Sequence, residues 1–409
     1  MHSRVKAARL KGQGLIALFV MSFLCSVQGQ TATNDFYLTQ QGSVLNVAAP
    51  GILANDNGGS LTAILVNGPA DGTLTFNSNG GFVYTPTNNF AGMDGFTYRA
   101  INGSQTSSVA SVIIMVQAPG ELFQDDFTRP TNGGPILPWV QETTTNVLHT
   151  GNEGSVGVLG VWNVSNHVMN ATSPPNCYGY AYYPGAGWTN YSVQAQIRFS
   201  SSNAASAGIL GRLDPVTGAH YAAWIYPENS TEQYSPHNGK AVLLLIKYSN
   251  WTIYTVFGYT NVLAAVGTNW HALKLGFQAN TISCYFDNLL LTNITDNGSL
   301  DGQPAYTNGG VGFNLWTIPS YPYTFSVSNV TVTTPVPVIR SFGLTNQVAT
   351  VSWSSISNAT YQLQYATNLN GGNWSNLLPT VTATGTTASQ TDFVGNVKGK
   401  FYRVGNLTP

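Results

Sequence analysis

Arg212, Asp214, His220, Trp224, Tyr226 and Glu228 fall close together in the chain, on what read as two neighbouring strands, Ala207–Asp214 and His220–Tyr226. Side chains alternate between the faces of a strand. His220, Ala222, Trp224 and Tyr226, with Glu228 just beyond, therefore share one face, and Tyr221, Ala223 and Ile225 the other. On the preceding strand Leu210, Arg212 and Asp214 oppose Ile209 and Leu213. With Ile209, Leu213, Tyr221 and Ile225 turned to a core, the free face presents a guanidinium, an imidazole, two aromatic rings and two carboxylates. That set suits a ligand whose ring packs on indole or phenol and whose hydroxyls take directed hydrogen bonds. The competing reading makes Arg212–Asp214 a structural ion pair and Trp224 the filler of a second layer.

Covalent chemistry is harder to assemble. Hydrolysis of a glycosidic bond needs paired carboxylates, about 5–5.5 Å apart in the retaining case. No Glu-x-Asp-x-x-Glu or similar cluster occurs, and Glu228 and Glu232 flank a loop-like Asn229-Ser230-Thr231. Elimination at a uronate needs a Tyr or His base and a cation or amide for the carboxylate. Arg212, His220 and Tyr226 supply those types without a signature spacing. Asp125 or Asp126, at the start of a strand, could join backbone carbonyls around a structural calcium; Asp126 is the candidate ligand. The glycine-rich stretch 151–160 has no following helix and no P-loop lysine, which argues against phosphate binding.

The elements that would position these residues are strands. Gly, Pro, Asn and Asp punctuate the chain every 8–12 residues or so, with β-branched and aromatic runs between them. In Ser192–Phe199 the residues Val193, Ala195, Ile197 and Phe199 alternate with Ser192, Gln194, Gln196 and Arg198. Such a pattern is expected of an antiparallel sheet with one wet face. The fold class expected is all-β, with no helical period anywhere. Linker-like Ala-Pro-Gly at 118–120 and Thr-Pro-Val-Pro at 334–337 divide the chain into domains at 30–119, 120–336 and 337–409.

Only 8% of the 409 residues are charged, against about 25% in an average soluble domain. Aromatic content of 12% and hydrophobic content of 43% exclude disorder as the reason. Of the 15 basic residues, Arg4, Lys6, Arg9 and Lys11 lie at the N-terminus, so the remainder is mildly acidic. No basic stripe is left for nucleic acid. Residues 1–29 read as a signal peptide: a basic start, the apolar run Leu15–Cys25, and Val27 and Gly29 at cleavage positions. No later apolar run approaches the length of a membrane span. The chain is thus expected outside the cell, in the periplasm or at the cell surface. Cys177 and Cys284 remain after cleavage, either bridged or as buried thiols.

Three resemblances accompany this reading. Asn34-Asp35, Leu53-Ala54-Asn55-Asp56, Gly72-Thr73-Leu74, Tyr84-Thr85-Pro86 and Phe90–Tyr98 resemble bacterial cadherin-like, Ig-type modules. Such modules usually carry a calcium loop, but Asp56-Asn57-Gly58-Gly59-Ser60 departs from it in having few carboxylates. The run from Asp125-Asp126-Phe127 through Trp162-Asn-Val-Ser-Asn, Trp188-Thr-Asn-Tyr191, Gly208–Asp214 and Trp270–Leu275 to Phe325–Val332 resembles the laminin G-like or concanavalin A-like jelly roll. Val348–Trp353, Tyr361–Tyr365, Asn373-Trp374 and Phe401–Val404 look like a fibronectin type III-like module, with Trp353 and Tyr365 in its core. The resemblances imply three β-sandwiches. The function expected is non-covalent binding of a polysaccharide or glycoconjugate by the central one. A polysaccharide-degrading enzyme on the same sheet is the alternative. A third reading is purely structural, in contact with cell-surface or matrix proteins.

Overall fold

The computed structural model describes residues 30–407, apart from 104, 144–146, 149–154, 186, 232–238, 262–264, 319–320, 356–358, 369–372 and 396–398. The signal peptide expected at 1–29 lies outside the described residues. The regular structure is almost all strand, as the punctuation implied; one 3-10 turn, Gly51–Leu53, is the helical element among the described residues. No described helix is long and apolar enough to cross a membrane.

The N-terminal sandwich pairs two sheets. One runs Asp35–Gln40, Ala110–Gln117, Gly92–Asn102, Thr62–Asn67; the other runs Leu45–Val47, Phe82–Pro86, Gly72–Phe76. Asp35–Gln40 lies parallel to Ala110–Gln117 through six residue pairs, from Asp35 opposite Val112 to Gln40 opposite Gln117. Phe82, Phe96, Tyr98, Val112 and Ile114 fill the space between the sheets. The strand Ala110–Gln117 is buried on both faces. Its even positions belong to this core, whereas Ile113 and Met115 join the core of the central domain beside Leu122 and Phe123. A strand covered on both sides must read as a continuous apolar run, and Val-Ile-Ile-Met-Val does.

The central domain is a jelly-roll sandwich. In one sheet the order is Cys177–Tyr183, Gly310–Thr317, Ser206–Leu213, His220–Tyr226, Val242–Tyr248, Tyr254–Asn261. In the other it is Val161–Ser165, Val168–Thr172, Phe325–Thr333, Tyr191–Phe199, His271–Gln278, Thr281–Phe286, Leu289–Thr295. Ile209, Tyr221, Ile225 and Phe313 from the first meet Val193, Ile197, Leu275 and Phe277 from the second. Tyr191–Phe199 alternates buried and half-exposed as its sequence requires. The first sheet differs: Ser206–Leu213, His220–Tyr226 and Val242–Tyr248 are buried at every position. Cys177 and Cys284 are buried free thiols, one in each sheet, so the bridging alternative does not hold. Burial pushes the Cys284 thiol pKa up.

In the C-terminal region Ile339–Thr345, Val348–Ser354 and Thr387–Phe393 form one small sheet. Thr360–Ala366 centres another, with Phe401–Asn406 beside it. Trp353, Tyr361 and Leu363 make the core. Tyr365, expected there too, is half-exposed at a strand end, with Lys400 Nζ 4.3 Å from its ring centroid.

Candidate functional site

His220, Trp224 and Tyr226 lie on the face of the sheet away from the sandwich core, as strand alternation requires. Tyr221 and Phe277 rings lie 5.9 Å apart across the core, while the His220 ring stacks on Tyr248 at 4.4 Å on the other face. Arg212 breaks the pattern. The pairing slips between Gly211 and Leu213, and Arg212 adopts a φ of 51° at that bulge. One extra residue in a strand turns its side chain to the opposite face. The guanidinium therefore enters the core end, against the Phe277 ring, and donates to the carbonyls of Thr189, Ala279 and Tyr306. Its backbone N–H donates to the Tyr191 hydroxyl. Arg212 fastens three loops together and takes no part in the outer face.

The expected carboxylates leave the face as well. Asp214 is exposed and accepts from Val216 N and Thr217 Oγ1, closing its own turn, so no Arg212–Asp214 ion pair forms. Glu228 accepts from the backbone of Val266 and Gly267 and ties that segment down. Asp126 is exposed and accepts only a turn hydrogen bond from Thr128 N. Its neighbour Asp125 is engaged by Arg129, Trp139 Nε1 and Phe127 N. Among the described residues no three His, Cys, Asp or Glu side chains gather as a metal site.

What the face does contain was mostly missed. Cys177–Tyr183 presents Tyr178, Tyr180 and Tyr182 in alternation, a signal visible in Cys-Tyr-Gly-Tyr-Ala-Tyr-Tyr. Tyr178 lies 6.0 Å from Trp224, 6.4 Å from Tyr248 and 4.7 Å from Trp316, centroid to centroid. The Tyr180 ring meets His220 at 5.7 Å and Trp251 at 5.1 Å, and its hydroxyl donates to the Trp251 carbonyl. The hairpin that carries Trp251 folds down onto this end of the face. Gly218, at φ +78°, admits it: a Cβ there would stand 2.5 Å from the indole. Trp224 is 3% exposed and Tyr226 4%, so the rings form a packed layer and not an open platform.

The polar groups within that layer are incompletely paired. Trp224 Nε1 donates to Asn314 Oδ1 at 2.7 Å. His220 Nδ1 lies 2.7 Å from the Gly218 carbonyl and must carry the proton to bond it, so Nε2 is a lone-pair acceptor, unpaired. Ser206 Oγ is unpaired as well. The Tyr180 oxygen accepts from the Asn314 and Tyr248 side chains, so those two groups are not free. Burial lowers the His220 pKa to about 4, opposed by the Gly218 carbonyl, and the ring is neutral at pH 7. Burial likewise raises the Tyr180 and Tyr248 pKa values. The face is uncharged, aromatic and short of hydrogen-bond partners.

Residues 28–115 match the bacterial Ig domain family, Big_9. No curated protein matches the chain. Among solved structures, the carbohydrate binding module CBM66 from Bacillus subtilis is similar at 15% identity and a TM-score of 0.32, covering 47% of this chain and 95% of its own. LamAcat from Zobellia galactanivorans is similar at 12% identity and TM-score 0.37, covering 52% and 97%. A glycoside hydrolase family 16 endo-glucanase from Bacteroides ovatus gives 12%, 0.37, 52% and 99%. At these values the likenesses do not bear on what this chain binds.

Proposed function

We propose that the central jelly roll binds a glycan without covalent chemistry, through the outer face of the sheet that holds Trp224, in a chain exported from a bacterial cell. The observation that carries this reading is the unpaired His220 Nε2 among aromatic rings, with Ser206 Oγ unpaired on the same sheet. A buried polar group without a partner costs about 1–3 kcal/mol. Such groups are uncommon in native folds and ask for a ligand or bound water. A neutral lone-pair acceptor and a hydroxyl complement sugar hydroxyls, which both donate and accept. The rings supply stacking for the apolar sugar face. Ligand entry requires the Trp251 hairpin to lift from Tyr180 and His220.

Degradation is the weaker reading. The outward positions of these strands are Tyr178, Tyr180, Tyr182, Ser206, Gly208, Leu210, His220, Ala222, Trp224, Tyr226, Val242, Leu244, Ile246, Tyr248, Gly312, Asn314 and Trp316, and none is Asp or Glu. Arg212, needed by a lyase, faces the other way. The flanking sandwiches, the last read as fibronectin type III-like, would act as spacers or adhesive modules.

A glycan array probed with the full chain tests this. Retention on at least one neutral glycan is expected, with affinity at least tenfold lower in His220→Phe, which removes the free acceptor. No retention on any glycan, or a His220→Phe protein that folds and binds like wild type, sinks the proposal.

A further inference from the structure

A second cleft lies outside that face, where the N-terminal sandwich meets the jelly roll. Its volume is about 450 Å³, within the range of roughly 300–1,000 Å³ usual for small-molecule sites. Gln40 and Gln117 line it from the N-terminal sandwich, Glu121, Tyr183 and Trp188 from the jelly roll, and Asn406 from the C-terminal sheet. The walls are fixed. Gln40 donates to Gln117, whose own Nε2 donates to the Leu122 carbonyl. Tyr183 is clamped between Phe123, stacked at 4.3 Å, and Trp188 at 5.8 Å. The shared core through Ile113 and Met115 holds the two bodies together beneath it.

Glu121 is the only charged residue lining this cleft among the described residues. Its Oε2 is buried and has no hydrogen-bond partner. Burial raises its pKa, against a hydrogen bond from the Ala118 backbone. The carboxylate also borders the adjoining cleft of about 650 Å³, which runs toward the amides Gln362, Gln364 and Asn376.

We infer that this junction is a second ligand site and that it takes an amino sugar. A buried, half-paired carboxylate is stabilised most by a cation that also donates hydrogen bonds. The Trp188 indole lining the cleft attracts a cation through its ring face and stacks on the apolar face of a pyranose. The primary amide side chains suit the remaining hydroxyls. A hexosamine unit carries all three features on one ring. No residue is shared with the Trp224 face, so the two sites stand or fall separately.

Calorimetric titration of the full chain at pH 6, where a glucosamine amine is protonated, provides the test. The probes are a glucosamine tetrasaccharide and a glucose tetrasaccharide of the same linkage. Wild type is expected to bind the amino sugar at least tenfold more tightly than the neutral one. Glu121→Gln should erase that preference, and Trp188→Ala should weaken both sugars. Equal binding of the two probes by wild type, no heat with either, or a preference surviving in Glu121→Gln each overturns the inference. The last of these is the mark of diffuse attraction to an acidic chain. If Glu121→Gln melts early, Glu121→Ala takes its place, and a full preference retained there counts against the site equally.

Discussion

Arg212 shows how one backbone slip reassigns a side chain. Its type and its neighbours Asp214 and His220 suggested an outward cation, and nothing in Gly-Arg-Leu announces a bulge. The positive φ, usual for Gly or Asn, is imposed by what the guanidinium finds inside: three loop carbonyls and the Phe277 face. Arg212→Ala would leave those carbonyls unpaired and a cavity at the end of the sandwich. The expected loss is about 3–5 kcal/mol, read as a lower midpoint in chemical denaturation. Arg212→Lys should recover only part of it, since an ammonium cannot span three acceptors in a planar fork. A stability for Arg212→Ala within 1 kcal/mol or so of wild type would show that the loops are held by something else. His220 was legible differently: alternation gave its face, but the Trp251 hairpin above it lies some thirty positions on and leaves no local mark.

Strands carried most of what the sequence made readable. The alternation in Tyr191–Phe199 and the alternating tyrosines of Cys177–Tyr183 are direct projections of a period-two element. Burial of the outer face was not readable, because residues like Ser206, Gly208 and Asn314 look wet in sequence yet pack under aromatic rings. Ala110–Gln117 taught the reverse lesson, for its unbroken apolar run did announce two covered faces. Ile113 has its side chain in the jelly-roll core while its backbone belongs to the N-terminal sandwich. Ile113→Ala should therefore cost about 2–4 kcal/mol and uncouple the two bodies. Calorimetric melting is expected to show one transition for them in wild type and two in the variant. A single transition, shifted or not, would mean that Ile113 does not couple them.

At the scale of the whole chain, the scarcity of charge leaves few groups to shape the response to pH, and two buried ones oppose each other. His220, depressed from 6.5 to about 4, stays neutral in the fold while the unfolded chain takes up a proton. Its contribution is intact above pH 6.5 and is lost as pH falls towards 4, by about 3 kcal/mol in total. Asp35 is raised to about 7, first by burial and then by the nearby Asp56, despite hydrogen bonds from Tyr98 and Asn55. The folded carboxyl keeps a proton that the unfolded chain gives up, so its contribution is intact below 3.8 and fades as pH rises to about 7. Denaturation midpoints of wild type should change little from pH 4.5 to 7. His220→Phe should then lose stability with rising pH, and Asp35→Asn should lose it with falling pH; parallel profiles for all three would refute the assignment. A different property follows from the parallel pairing of Asp35–Gln40 with Ala110–Gln117. Chain entering at one strand and leaving at the other would, under tension, pull the two strands past each other lengthwise, loading all six pairs at once instead of unzipping them singly. The N-terminal sandwich is built as a shear clamp, able to bear a pull between whatever lies ahead of it and the jelly roll behind.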